Sequence, residues 1–214
     1  MLQFPESTYI GKRIPKEGFY NKLDMGALLK KAFVDDIEQI VWRNLFSDAT
    51  LNVDKGEKVS QIDVIQINLK RQTFSKSILE VIEKAIPRHL LFILKFTDQY
   101  QLHMNYKDEY QKGKFRIVES YSSNWLSEPE ISLTLKGLNL DQVYENLVYQ
   151  LAGTQVEKTE GVDLKQSILQ AQEVEKIKKK IAELETKKRN EKQFNIQLKI
   201  AGEIKELKKS ITYQ

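Results

Sequence analysis

Apolar residues first settle into a regular spacing at Leu29, Phe33, Ile37, Ile40, Val41 and Leu45. Steps of three and four residues put side chains on one stripe of a helix. The pattern therefore predicts a long helix from about residue 21, with Trp42 and Phe46 widening the stripe. Ahead of it, Pro5, Gly11, Pro15 and Gly18 lie among aromatics, which predicts an irregular arm over residues 1–20. Residues 47–56 read as a loop.

The period then changes to two. Ile65, Ile67 and Leu69 alternate with Gln66, Asn68 and Lys70, which predicts a strand over 59–70 with one wet face. Ser77 followed by Glu80 has the spacing of a capping box. Ile78, Ile82 and Ala85 continue one helical face until Pro87 stops it. The apolar run 89–96 is an interior strand, and so tight a strand–helix–strand unit predicts a right-handed crossover with parallel pairing. Three β-rich segments follow in meander order, 100–106, 115–121 and 131–136. Asn139 caps a last helix whose face is Leu140, Val143, Tyr144, Leu147 and Leu151, and Gly153 closes it. Ile82, Leu91, Ile93 and Leu147 are expected to be buried together. The fold class is α+β, a mixed, mostly antiparallel sheet packed on helices.

The body is expected to span residues 1–155, with a polar linker over 156–163. In the remaining 164–214, Val174, Ile177, Ile181 and Leu184 form a heptad-like seam. Leu198, Ala201, Ile204, Leu207 and Ile211 form a second. Between them 185–193 contains no apolar residue. A single helix would carry that gap in its stripe, so the two seams favour a coiled-coil-like antiparallel hairpin that turns near 189–195. Asn190 and Asn195 are the only candidates to punctuate the turn. Ile177, Ile181 and Leu184 should face Leu198, Ala201 and Ile204. The seam positions Ile177, Ile181, Leu184, Leu198 and Ile204 are also the candidates for binding a protein partner.

Charge sharpens the view of this tail. The net charge is +4 over 214 residues. Residues 161–214 hold 13 basic and 8 acidic side chains, so the whole positive excess sits there. Lys179, Lys180, Lys187, Lys188, Arg189 and Lys192 crowd the first helix and the turn, which makes them the candidate contacts to nucleic-acid phosphates. The competing explanation is an ordinary solvated face of mixed charge. The absence of cysteine excludes disulfides and thiolate metal sites. No apolar run approaches the roughly 20 residues of a membrane span. The N-terminal stretch shows no secretory h-region, and a soluble cytoplasmic protein is expected.

Catalytic chemistry has little to stand on. His89 and His103 are the only histidines, and no HExxH accompanies them. Each is expected to be a partly buried histidine with one satisfied nitrogen. A magnesium-dependent nuclease needs two or three carboxylates and a nearby lysine. Asp63 with Lys70 is the best candidate, but Gln66 and Asn68 stand where a second acid would be needed. Asp35 and Asp36 are adjacent on a predicted helix and diverge by about 100°. P-loop and dinucleotide-binding glycine patterns are absent, and no cofactor is expected.

Several stretches carry a resemblance: GKRIPKEGFY, IEQIVWRN, TLNV, AIPRHLLFILKF, GLNLDQVYENLVYQLAG and EKQFNIQLKIAGEIKELKK. Nearly end to end, the chain resembles the bacterial family catalogued as domain of unknown function 4391. None of these stretches is a catalytic signature. Members often lie beside genes for DNA methyltransferases and helicase or restriction-type subunits. The resemblance therefore implies an accessory role in restriction–modification or phage defence, with a methyltransferase or helicase subunit as protein partner. The expected function is a non-enzymatic interaction protein that docks within such an assembly. DNA contact through the basic hairpin is a secondary expectation, weighed below a solvated face. The alternative is a divergent metal-dependent nuclease or other DNA-acting enzyme.

Overall fold

The structure is a computed structural model that describes residues 4–22, 25–111, 113–159 and 161–212. The chain divides into two compact units, 1–152 and 153–214.

The first unit is built on a sheet. Its strands are β1 (Tyr9–Ile14), β2 (Ile37–Phe46), β3 (Ile62–Leu69), β4 (His89–Phe96), β5 (Gln99–Gln111), β6 (Lys114–Ser122) and the short β7 (Leu126–Ser127). They lie in the order β1-β2-β3-β4-β5-β6, with β7 paired to β5. Only β3 and β4 pair in parallel. The other pairings are antiparallel. The helices are α1 (Glu17–Lys22), α2 (Ala27–Asp36), the one-turn α3 (Asp48–Leu51), α4 (Ser77–Ala85) and α5 (Leu140–Ala152). This is the expected α+β class with a mostly antiparallel sheet.

Helices cover both faces. On one face, Phe19 of α1, Phe33 of α2, and Ile78 and Ile82 of α4 pack with Ile65, Ile67, Leu90, Phe92 and Leu94 of the central strands. On the other, Tyr144 of α5 stacks on Tyr106 and meets His89 edge-on. Alternation along β4 sends Leu91 and Ile93 to this second face. Ile82 and Leu91 are therefore both fully buried, but in different layers and not together as expected.

The predicted long helix is the largest correction. Helix α2 stops at Asp36, and Ile37 begins a ten-residue strand. The three- and four-residue spacing has a physical source. The register of β2 against β3 shifts between Ile37 and Gln39 and again between Trp42 and Asn44. A bulge of this kind resets the alternation of faces. Ile37 and Ile40 thereby reach the same core, three residues apart. Local composition agrees, because Ile37, Ile40, Val41, Trp42 and Phe46 are β-branched or aromatic.

Smaller corrections share a cause: tertiary partners outweigh local pattern. The supposed arm contains β1, which pairs with β2. The supposed loop 47–56 contains α3, closed by a capping box between Ser47 and Thr50. Strand β3 lies between β2 and β4, and the face expected to be wet is only partly so: Ile62 and Val64 on it are buried, while Gln66 and Asn68 are half-buried. Its Gln66 and Asn68 bond to each other at 2.8 Å. Lys76, not Ser77, occupies the N-cap of α4, and no side chain caps it. Residues 131–136 have no regular secondary structure and join no sheet. Side chains of α5 take their backbone groups instead. Gln150 accepts from Thr134 N at 2.8 Å and donates to Thr134 O at 2.8 Å, and Asn146 donates to Lys136 O at 2.9 Å.

The second unit holds α6 (Leu164–Asn190) and α7 (Phe194–Thr212). Asp163 caps α6, its carboxylate accepting from Gln166 N at 2.7 Å. The helices pack as a hairpin around Ile181, Ile200 and Ile204, with Ile177, Leu184, Ile196, Leu207 and Ile211 against them. The ion pairs Lys180–Glu203 at 3.1 Å and Glu185–Lys208 at 2.9 Å flank this seam. Leu198 is a correction. It is 56% exposed and lies off the seam, which runs through Ile196 and Ile200. The turn needs neither asparagine. The Glu191 carboxylate accepts from the N–H groups of Lys192 and Gln193 at 2.8 and 2.9 Å, and Gln197 Nε2 donates to Glu191 O at 2.7 Å. No helix among the described residues is long and apolar enough to cross a membrane.

Candidate functional site

Strand β5 carries an unusual load. His103, Asn105 and Lys107 alternate with Leu102, Met104 and Tyr106, so the three polar side chains share one face. All three are buried. Cross-strand pairing sets Ser122 opposite His103 and Ser120 opposite Asn105. Glu83 of α4, also buried, reaches the same face.

Hydrogen bonds order these groups into a chain with a direction. Asn105 Nδ2 donates to Glu83 Oε1 at 3.0 Å, which makes Asn105 Oδ1 an acceptor. It accepts from Ser120 Oγ at 2.7 Å and from His103 Nε2 at 3.1 Å. His103 must then carry its proton on Nε2, and Nδ1 accepts from Ser122 Oγ at 2.7 Å. The Lys107 ammonium pairs with Glu83 Oε2 and donates to Arg88 O. Burial holds His103 down to about 4, so the ring is neutral at neutral pH. Burial pushes Glu83 up, against the pull of Lys107 and Asn105.

On the opposite face, Tyr144 locks the strand. The β5–β6 register shifts between Tyr106 and Lys107. There the Tyr144 hydroxyl donates to Asn105 O at 2.9 Å and accepts from Lys107 N at 3.0 Å. His89 lies edge-on to Tyr144 and Phe115, with ring centres 4.5 and 5.0 Å away. Burial, then the Lys107 charge, brings His89 to about 4 as well.

This polar floor opens into a cavity of about 700 Å³ between α4 and the β5–β6 hairpin. Leu79, Pro87, Phe115 and Ile117 supply apolar wall, and Lys76, Lys84 and Lys114 stand on the rim. Such a concave site with a few convergent polar groups suits a small-molecule ligand. The Ser122–His103 contact has the outline of a nucleophile and its base. A ring held near 4 is a feeble base at neutral pH, however, and direct cross-strand pairing already accounts for the contact.

The residues weighed from sequence fall elsewhere. Asp63 is buried and bonded to Arg88 Nε at 3.1 Å and to Gln61 Nε2 at 3.1 and 3.2 Å. Lys70 follows the far end of β3, where its ammonium donates to Val34 O at 2.7 Å. The structure does not bring the two together. Asp36 is taken by Arg71 and by Ser75 N. No three His, Asp or Glu side chains are grouped to share a metal ion among the described residues. Both nitrogens of His103 are engaged, where one was expected. Ile177, Ile181, Leu184 and Ile204 all belong to the hairpin's own seam. Lys179 and Lys180 pair with Glu175 and Glu203. Lys187, Lys188 and Arg189 occupy the last turn of α6, with Lys192 just beyond. These four are exposed and form no ion pair among the described residues. Sequence reasoning missed the floor entirely. Its one signal was the polar alternation His103–Asn105–Lys107, matched by Ser120–Ser122 on the neighbouring strand.

Fold and site together define an α+β protein with a polar-floored cavity and a separate helical hairpin. The model of the family described as domain of unknown function 4391 matches residues 2–211, and the chain belongs to that family. No curated protein and no solved structure matches it.

Proposed function

We propose that this protein is a non-enzymatic accessory component of a DNA-processing assembly, of the restriction–modification or phage-defence type, and touches DNA with the tip of its hairpin. One observation carries the reading. Lys187, Lys188, Arg189 and Lys192 crowd the tip within six positions and form no ion pair among the described residues. Along the stem, Lys176, Lys179, Lys180, Lys208 and Lys209 each pair with a glutamate, and the other unpaired stem lysines, Lys178, Lys199 and Lys205, are scattered. Cations gathered at one end, with Glu185 the acid that Lys188 and Arg189 act on, are what phosphate contact uses. The gene neighbourhood implied by the family resemblance points the same way. The test is retention of duplex DNA across a salt series. Replacing the four residues by Gln should weaken binding and flatten the slope of log affinity against log salt by up to about 3.6. Retention equal to the parent's counts against the reading.

A second reading rests on Phe194 and Leu198, exposed at 69% and 56% and one helical turn apart beside the tip. They would dock a protein partner, a methyltransferase or helicase subunit. Phe194→Ser with Leu198→Ser should then abolish co-purification of that subunit and leave DNA retention unchanged.

A further inference from the structure

We propose that the cavity between α4 and the β5–β6 hairpin binds a nucleotide, its phosphate held by the rim lysines and the amino group of its base bonded to the serine-lined floor. The site is independent of the hairpin tip.

Three features select that ligand. The first is charge. Lys76, Lys84 and Lys114 are exposed on the rim and form no ion pair among the described residues. Lys107 on the floor is cancelled by Glu83, and Glu80 is the remaining acid in the lining. The rim therefore keeps a positive excess suited to an anion with two or more charges. The second is shape. About 700 Å³ is far more than a bare phosphate fills, and the apolar wall of Leu79, Pro87, Phe115 and Ile117 offers a flat ring a dry surface.

The third is the direction of the hydrogen bonds. Ser120 Oγ spends its hydrogen on Asn105 Oδ1, and Ser122 Oγ spends its hydrogen on His103 Nδ1. Each hydroxyl has one hydrogen and two lone pairs. Toward the cavity, both serines can only accept. The floor thus reads N–H donors, and an exocyclic amino group on a nucleobase meets that need. The neutral state of His103 keeps the chain pointing this way, because a protonated ring would no longer accept from Ser122.

A free nucleotide and a nucleotide unit at the end of a single strand present the same chemistry. Calorimetric titration of the full chain with adenosine monophosphate, adenosine, purine riboside monophosphate (which lacks the amino group) and a short single-stranded oligonucleotide separates the sources. The result expected is saturable binding of adenosine monophosphate, with adenosine and the deamino analogue each weaker by about tenfold. Lys84→Gln with Lys114→Gln, both at exposed positions, should weaken adenosine monophosphate by a similar factor. Gln at Lys187, Lys188, Arg189 and Lys192 should leave it unchanged, so this result stands apart from the DNA test. Binding of the oligonucleotide alone, lost in the rim variant, assigns the same chemistry to a strand end. Absence of binding by every probe overturns the proposal, as does equal affinity for adenosine and its monophosphate or parental binding by the rim variant.

Discussion

Lys107 and Glu83 form an ion pair in which both side chains are almost wholly removed from solvent, at 4% and 3% exposure. Each charge depends on the other. Removing one partner strands a buried charge and costs about 3–5 kcal/mol. Lys107→Met should therefore lower the denaturation midpoint sharply. Lys107→Met with Glu83→Leu should recover much of the loss, since an apolar pair needs no compensation. Urea denaturation of the two variants decides the matter. Equal losses would mean that the pair is not coupled.

Acid should destabilise the protein before its carboxylates titrate. His89 and His103 both sit at about 4 in the fold, below the ordinary histidine value of 6.5. The unfolded chain takes up protons that the folded chain refuses. Their contribution is complete above about pH 6.5 and is lost as pH falls toward 4, with about 2 kcal/mol per histidine gone by pH 5. Glu83 works in the opposite sense, because its raised value favours the folded state while the carboxyl is protonated. Stability measured by denaturation at several pH values should show the net fall. His89→Gln should reduce its slope.

The Asp141 carboxylate fastens a loop to the first turn of α5. It accepts from the N–H groups of Glu57 at 2.8 Å, Lys58 at 3.1 Å and Val59 at 2.8 Å. Asp141→Ala should cost about 1–3 kcal/mol, chiefly by orphaning the partly buried Val59 N–H, since water reaches the other two. Gly56 belongs to the same arrangement. A Cβ there would meet Asp141 Oδ1 at 2.4 Å and Val59 O at 2.5 Å. Gly56→Ala should destabilise through the same loop, and the double variant should lose less than the two single losses combined. Thermal melts of the three proteins test this.

In the hairpin, Ile204→Ala should cost about 2–5 kcal/mol of the packing between α6 and α7. Leu198→Ala should cost almost nothing, since Leu198 is outside the seam. Loss of helical circular dichroism on heating distinguishes them. Equal melting would return Leu198 to the seam.

These contrasts show what the sequence could and could not reveal. Elements with one period and one dominant neighbour were legible: α4, β4, α5 and the paired seams of α6 and α7. Strand β2 was hidden because two register shifts give its core residues a helical spacing. Residues 131–136 have the composition of a strand, but Gln150 and Asn146 take backbone groups of Thr134 and Lys136 from a helix, ten to sixteen residues further along. No local pattern announces such a partner. The cavity floor was hidden for a related reason. His103, Asn105, Lys107, Ser120 and Ser122 come from two strands, and their meaning depends on Glu83 from α4 and on register. The turn at Glu191 escaped notice because a carboxylate does there what glycine or asparagine usually does.

The order of the strands leaves β1 and β6 at the margins of the sheet. Unpaired strand margins invite recruitment of a second chain, and from there fibrous assembly. Both margins carry charge: Lys12 and Arg13 on β1, and Lys114, Arg116 and Glu119 on β6. Bringing two such margins together would crowd like charges and strip them of water. The sheet is thereby guarded against growing sideways from either end.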